Sequence, residues 1–123
     1  MISTLIHEIG KGTKNAAVKK RVISFFMKNG YYTLPDLAKS LGLSIPTITK
    51  LVEEFVGMGI IEERGKLETN GGRHPVLYGL NPDSCYFAGV DICNESVSIG
   101  LIDFCGDMVE KQTGIPYKLE NTP

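Results

Sequence analysis

Apolar residues recur at spacings of three and four through the first half of the chain, and this rhythm gives way to short apolar runs after Cys85. The first pattern is that of helices with one buried face and the second that of strands. The clearest helical stretch is TLPDLAKSLGLSIPTITKLVEEFVGMGII, residues 33–61. Its first part, Leu34 to Leu41, sets Leu34, Leu37, Ala38 and Leu41 on one face. Thr33 stands where a cap is needed, with Asp36 three residues on, an approximate capping box. Gly42 is suited to end the helix because glycine accepts positive φ. Ser44 then caps a second helix, and Pro46 falls in its first turn, where a missing amide costs nothing. Ile48, Leu51, Val52, Phe55 and Met58 form a continuous core-facing stripe along that helix. The opposite face begins with Pro46, Thr47 and Lys50, with Thr49 at its flank.

The flanks extend the pattern. Ile2, Leu5, Ile6 and Ile9 share a helical face, and the run Lys11-Gly12-Thr13-Lys14 interrupts it. Asn15 to Lys28 predicts a longer helix with Val18, Val22, Phe25 and Phe26 on one side, Ile23 beside them, and Gly30 at its end. After Gly57-Met58-Gly59, the segment Ile60 to Arg64 reads as a strand. Gly65 to Gly72 is polar and glycine-rich, and Val76 to Leu80 is the returning strand. Three helices followed by a two-stranded hairpin make a winged helix-turn-helix, with Thr69 to His74 as the wing tip. In a helix-turn-helix the start of the second helix enters the DNA major groove.

Beyond Asn81-Pro82 the expected elements are strands at Tyr86–Ile92, Val97–Phe104 and Met108–Thr113, a β-meander. Gly114 to Pro123 shows no clear element. The expected class is α+β, with a DNA-binding domain over residues 1–82 and a second unit over residues 83–123.

Net charge is −1, an unpromising value for a partner of nucleic acid. Its distribution changes the picture. Residues 1–80 hold 11 Lys+Arg against 7 Asp+Glu, whereas residues 81–123 hold 2 against 7. A basic first part and an acidic second part point to two units with different partners. No apolar run approaches the roughly 18 residues of a membrane span, and the N-terminus lacks the basic-then-apolar order of a signal peptide. The expected location is the cytoplasm, with no membrane partner. Cys85, Cys93 and Cys105 have no CxxC spacing, so they read as buried free thiols rather than a disulfide framework or zinc site. No metal, cofactor or catalytic constellation is predicted.

The predicted DNA-contacting residues are Ser44, Pro46, Thr47, Thr49 and Lys50 on the second helix, and Gly71, Gly72, Arg73 and His74 on the wing. Threonine and lysine suit base edges. A cation after two glycines suits a phosphate or the minor groove. Lys14, Lys19, Lys20 and Arg21 add a basic cluster suited to phosphates. Glu53 and Glu54, further along the exposed side, would repel phosphates and end the contact near Lys50. Against this stands a plain αα-hairpin with a solvated polar face, used as a protein-interaction module.

Two stretches carry a wider resemblance. LSIPTITKLVEEFVGMGIIEE followed by GGRHPVLYGLNP, and FAGVDICNESVSIGLIDFCGDMV, resemble the opening of ROK-family transcriptional regulators, the group of repressors, open reading frames and sugar kinases. The resemblance implies a winged-helix reader followed by the first strands of an actin-like, sugar-kinase-type domain. It implies a sugar-responsive repressor of carbohydrate-use genes, binding double-stranded DNA as a homo-oligomer and sensing a sugar or sugar phosphate. Members of the family continue well beyond this length, so the chain is expected to be an N-terminal piece. The alternative is a sugar kinase or kinase remnant with an appended helical domain. Family kinases open with an Asp-x-Gly-Thr phosphate loop. Here Asp91-Ile92-Cys93-Asn94 stands in its place, and cysteine is a poor substitute for a glycine that lets backbone approach phosphate. This favours the regulator over the enzyme.

Overall fold

The computed structural model describes residues 2–68, 70–72 and 74–118. The chain divides into two units, Met1–Asn81 and Pro82–Pro123.

The first unit contains α1 (Ile2–Gly10), α2 (Lys14–Asn29), α3 (Leu34–Leu41), α4 (Ile45–Gly57), β1 (Ile61–Lys66) and β2 (Val76–Leu80). Local chemistry sets the helix limits. The hydroxyls of Thr13, Thr33 and Ser44 accept from the amides of Ala16, Asp36 and Thr47, capping α2, α3 and α4. Gly42 ends α3 in the left-handed region, at φ 65°. The core is formed by Val22, Ile23 and Phe26 of α2, Leu37 and Ala38 of α3, and Ile48, Leu51, Val52 and Phe55 of α4, with Ile60, Ile61 and Leu80 from the hairpin.

Several sequence expectations are corrected here. Leu5 is the buried member of α1, while Ile6 is 60% exposed, because α1 packs chiefly on α2 and covers only a narrow stripe. The buried face of α2 is Ala16, Lys19, Val22, Ile23 and Phe26, with Val18 and Phe25 half-buried at its edges. Met58 is the C-cap of α4 and is half-buried rather than a full member of the stripe.

β1 and β2 pair antiparallel from Ile61↔Leu80, with an irregularity between Glu63 and Lys66. A third segment joins the ladder. Tyr32, in the loop before α3, exchanges two 2.9 Å backbone hydrogen bonds with Tyr78. Tyr31 beside it lies against Gly79, where an added Cβ would run into the tyrosine ring. The root of the hairpin is thereby tied to the helices.

In the second unit a 3₁₀ turn, Pro82–Ser84, precedes β3 (Tyr86–Ile92), β4 (Ser96–Asp103) and β5 (Met108–Pro116). They form one antiparallel sheet in the order β3-β4-β5. β5 reaches Pro116, past the expected limit at Thr113, because Val97↔Ile115 and Ser96↔Pro116 continue the ladder after a bulge. The cysteines differ from expectation: Cys93 is exposed and Cys85 and Cys105 are half-buried. A thiol in the short β3–β4 turn has little to be buried against. Burial pushes the Cys85 thiol upward, toward the unreactive protonated form.

Candidate nucleic-acid interface

The two motif helices are joined by Gly42 and Leu43, and Ser44 starts α4 with its N-terminal end in solvent. Ile45, Pro46, Thr47 and Lys50 are exposed, while Ile48 on the opposite face is fully buried. The stripe of Ile48, Leu51, Val52 and Phe55 settles which way the helix faces, and the polar start is its complement.

The hydroxyls on this surface have partners. Ser44 Oγ lies 2.7 Å from Thr47 Oγ1 and accepts from the Thr47 amide at 3.3 Å. Thr49 Oγ1 donates to the carbonyl of Ile45 at 2.8 Å. Thr49 therefore offers a methyl group and acceptor lone pairs outward, while its proton is held by its own helix. Lys50 is exposed.

The wing is held at its base. Leu67 N donates to Pro75 O at 3.0 Å, and His74 Nδ1 lies 3.0 Å from Leu67 O. Gly71 and Gly72 have φ of 94° and 108°, a region that side chains avoid. His74 thus closes the two arms of the loop. Arg73, the expected minor-groove cation, and Thr69 lie outside the described residues.

The basic cluster on α2 separates into different roles. Lys14 and Lys20 are exposed. Arg21 Nη2 donates to the Leu41 carbonyl at 2.8 Å, binding an orphan acceptor at the end of α3. Lys19 is buried and faces inward, which corrects its expected phosphate role. Its Nζ donates to Glu54 Oε1 at 2.6 Å and to Glu8 Oε2 at 2.8 Å. Glu54 therefore bends toward α2 rather than standing as a free repelling charge. The hydrogen bond to Glu54, then that to Glu8, raises the Lys19 pKa, and the hydrogen bond from Lys19 lowers that of Glu8.

Sequence reasoning also missed Arg64. Its guanidinium lies 5.1 Å from the Tyr31 ring centroid and 2.6 Å from Glu62 Oε1, at the hairpin root. No local periodicity announces that contact. Lys19 carries one local hint that the phosphate expectation passed over: it lies in step with Ala16, Val22, Ile23 and Phe26, at the spacing of a core residue.

Residues 17–62 match the sequence model of a family described as winged helix-turn-helix DNA-binding. Geometry and sequence now agree. The first unit is a winged helix-turn-helix. The chain is also similar to longer proteins. A protein named xylose repressor from Caldicellulosiruptor bescii is 28% identical over 91 residues, covering 74% of this chain and 23% of that protein. A xylose repressor from Bacillus spizizenii is 26% identical over 94 residues, covering 76% of this chain and 24% of its own. The chain spans about a quarter of the length of these relatives. Its fold also matches a crystal structure of a ROK-family transcriptional regulator, a homologue of E. coli MLC protein. That match has TM-score 0.59 and 20% identity, covering 94% of this chain and 27% of the other. The α+β expectation, a winged helix followed by antiparallel strands, is borne out by this fold and by the family match within the first unit.

Among the described residues no cluster of His, Cys, Asp and Glu is arranged to hold a metal ion. No helix among them is long and apolar enough to cross a membrane.

Proposed function

We propose that this chain is the DNA-reading part of a cytoplasmic, sugar-responsive transcriptional repressor of carbohydrate-use genes, and that it is not an enzyme. One observation carries the reading. The Ser44-capped helix exposes Pro46, Thr47 and Lys50 at its start, while its other face is locked into the core by Ile48, Leu51, Val52 and Phe55. A rigid helix with a small, polar and cationic tip fits a major groove. The names of the xylose repressors support a repressor with a sugar effector, and xylose is the first sugar to test. The site for that sugar would belong to the remainder of a longer protein. The non-enzymatic reading rests on those names and on Cys93 in the place of a phosphate-loop glycine.

In this reading Thr47 and Lys50 contact base edges, Pro46 adds shape and apolar contact, and Ser44 and Thr49 support the turn and the flank. Gly71 and Gly72 let the wing approach the duplex, Arg73 enters the minor groove, and His74 holds the loop. Such readers commonly bind two half-sites as dimers, so the intact protein would act as a homo-oligomer.

Site selection from random duplex DNA at fixed salt tests these roles. Lys50→Ala should cost about 1–3 kcal/mol and relax preference at one or two core positions. Arg73→Ala should weaken binding and reduce A·T preference in the flanks, leaving the core bases unchanged. The reverse assignment of core and flanks would overturn these roles. Binding that does not weaken as salt rises would overturn the DNA reading itself.

A further inference from the structure

The Lys19 cluster does more than fill space. Its side chain is 4% exposed and bridges two helices that are distant in sequence, reaching Glu8 of α1 and Glu54 of α4. We infer that Lys19 is a positioning residue for DNA reading, fixing the rotation of α4 and making α1 part of the device that holds it. The inference rests on the DNA-binding reading above.

Three observations support it. First, Lys19 occupies a core position of α2, between Ala16 and Val22 and Ile23, where an aliphatic side chain would pack without needing partners. A charge there requires carboxylates in defined places. Second, Glu54 lies four residues after Lys50, so both lie along one strip of α4, about 6 Å apart along the axis. Holding Glu54 against α2 sets the azimuth of Lys50, because the helix between them is rigid. The apolar stripe sets which face of α4 is buried, and a small residual rotation about the axis would still shift the reading tip. Apolar contact is non-directional, whereas a short ion pair is not. Third, α1 buries only Leu5 fully, so the Glu8–Lys19 pair is a principal part of its attachment. α1 also precedes residues 17–62, the stretch that matches the winged-helix family. It is wired to the reading helix through one ammonium group.

The test uses the whole chain and two duplexes. One is the duplex that the unmodified chain enriches from a random pool, and the other is a shuffled duplex of the same length and composition. Lys19→Met replaces the ammonium with an apolar side chain of similar length. Removing one partner of a buried ion pair destabilises when the other charge is left buried, but Glu8 and Glu54, each 38% exposed in the side chain, can turn to water. The expected result is an unchanged melting temperature, unchanged binding to the shuffled duplex, and on the order of tenfold weaker binding to the enriched duplex, the size of one lost base-pair readout. Lys19→Arg, which can still bridge both carboxylates, should restore most of the preference. Glu8→Gln, on a half-exposed position that tolerates change, should show a smaller loss in the same direction and keeps the test open if Lys19→Met does not fold. Unaltered preference in Lys19→Met would overturn the inference, as would equal weakening on both duplexes together with a lower melting temperature. If the unmodified chain prefers no duplex, the DNA reading falls first and this inference falls with it. If it does prefer one and the variants match it, only this inference falls.

Discussion

The two units of this chain reach order by different means. In Met1–Asn81, helices from separate parts of the sequence bury their apolar faces on one another and on the hairpin root. In Pro82–Pro123, three strands pair with their sequence neighbours, and among the described residues Phe104 is the buried hydrophobic member. All seven residues of β3 are exposed, Val90 and Ile92 at 61% and 63%. Yet β3 and β4 hold an unbroken register from Tyr86↔Asp103 to Ile92↔Val97. The lesson is that register and burial are separable. A short turn and backbone hydrogen bonds align strands, but without a covered face the sheet gains little from the hydrophobic effect. The first unit has a core of its own, and the second has a pattern of pairing.

The sharpest way to break this comparison is to remove a core side chain. Phe55 is fully buried, and Phe55→Ala should cost about 3–5 kcal/mol. Val90→Ala in the sheet should change stability by about 0.5 kcal/mol or less, as exposed substitutions usually do. Urea unfolding tracked by helical circular dichroism for Phe55→Ala, and by amide exchange of β3 across the same urea range for Val90→Ala, checks the pair. Equal effects would mean that the sheet has a covered face.

Amide exchange sharpens the same contrast at somewhat smaller scale. Amides of α2 and α4 should exchange at least about a hundredfold more slowly than those of β3, which open locally. The measurement should be repeated at several protein concentrations. β3 and β5 are the outer strands of their sheet, and outer strands invite pairing with another copy. Protection of β3 that rises with concentration would report such pairing.

Gly42 offers a test confined to the reader. Its φ of 65° is left-handed, and a Cβ there would meet nothing within 4 Å. Gly42→Ala should therefore cost only the conformational penalty, about 1–2 kcal/mol, read as a shift in the urea midpoint with an unchanged slope. A larger loss would mean that the turn also needs space.

The smallest expected effect is a pH dependence. Lys19, by hydrogen bond and then by charge, holds the Glu8 carboxyl below its ordinary value. A depressed folded pKa contributes stability that is complete above the ordinary carboxylate range and is lost as pH falls through the lowered value. Glu8→Gln should lower the melting temperature of the first unit slightly at neutral pH and leave it unchanged in acid, so that the acid limb of the profile is flatter. An acid limb of unchanged slope would place the linkage on other carboxylates.

Most elements were legible because their signals are local. Thr33, Ser44 and Gly42 mark helix ends through hydrogen bonds and backbone angles that involve only near neighbours. Boundaries drifted where a ladder could extend past its pattern, as β5 does to Pro116. The exposed start of α4 was legible by elimination, since the buried stripe leaves one face. What escaped were contacts of charged side chains with residues far away in sequence. Lys19 with Glu8 and Glu54, and Arg64 with Tyr31, join residues separated by 11, 35 and 33 positions. Lysine on a helix reads as solvent-facing by default, and only its step with Ala16 and Val22 hints otherwise.

The sequence by itself determined the helix-turn-helix, the wing and the meander, because periodicity, caps and turn residues act over a few positions and need no partner elsewhere. Only the tertiary structure decided which charges face solvent. That choice depends on where distant carboxylates arrive when the helices pack. It turned Lys19 from a candidate for phosphate into the anchor of α4, and it drew Tyr31 and Tyr32 into the root of the wing. Long-range electrostatics and edge pairing are consequences of the assembled core, so no local stretch of this chain carries them.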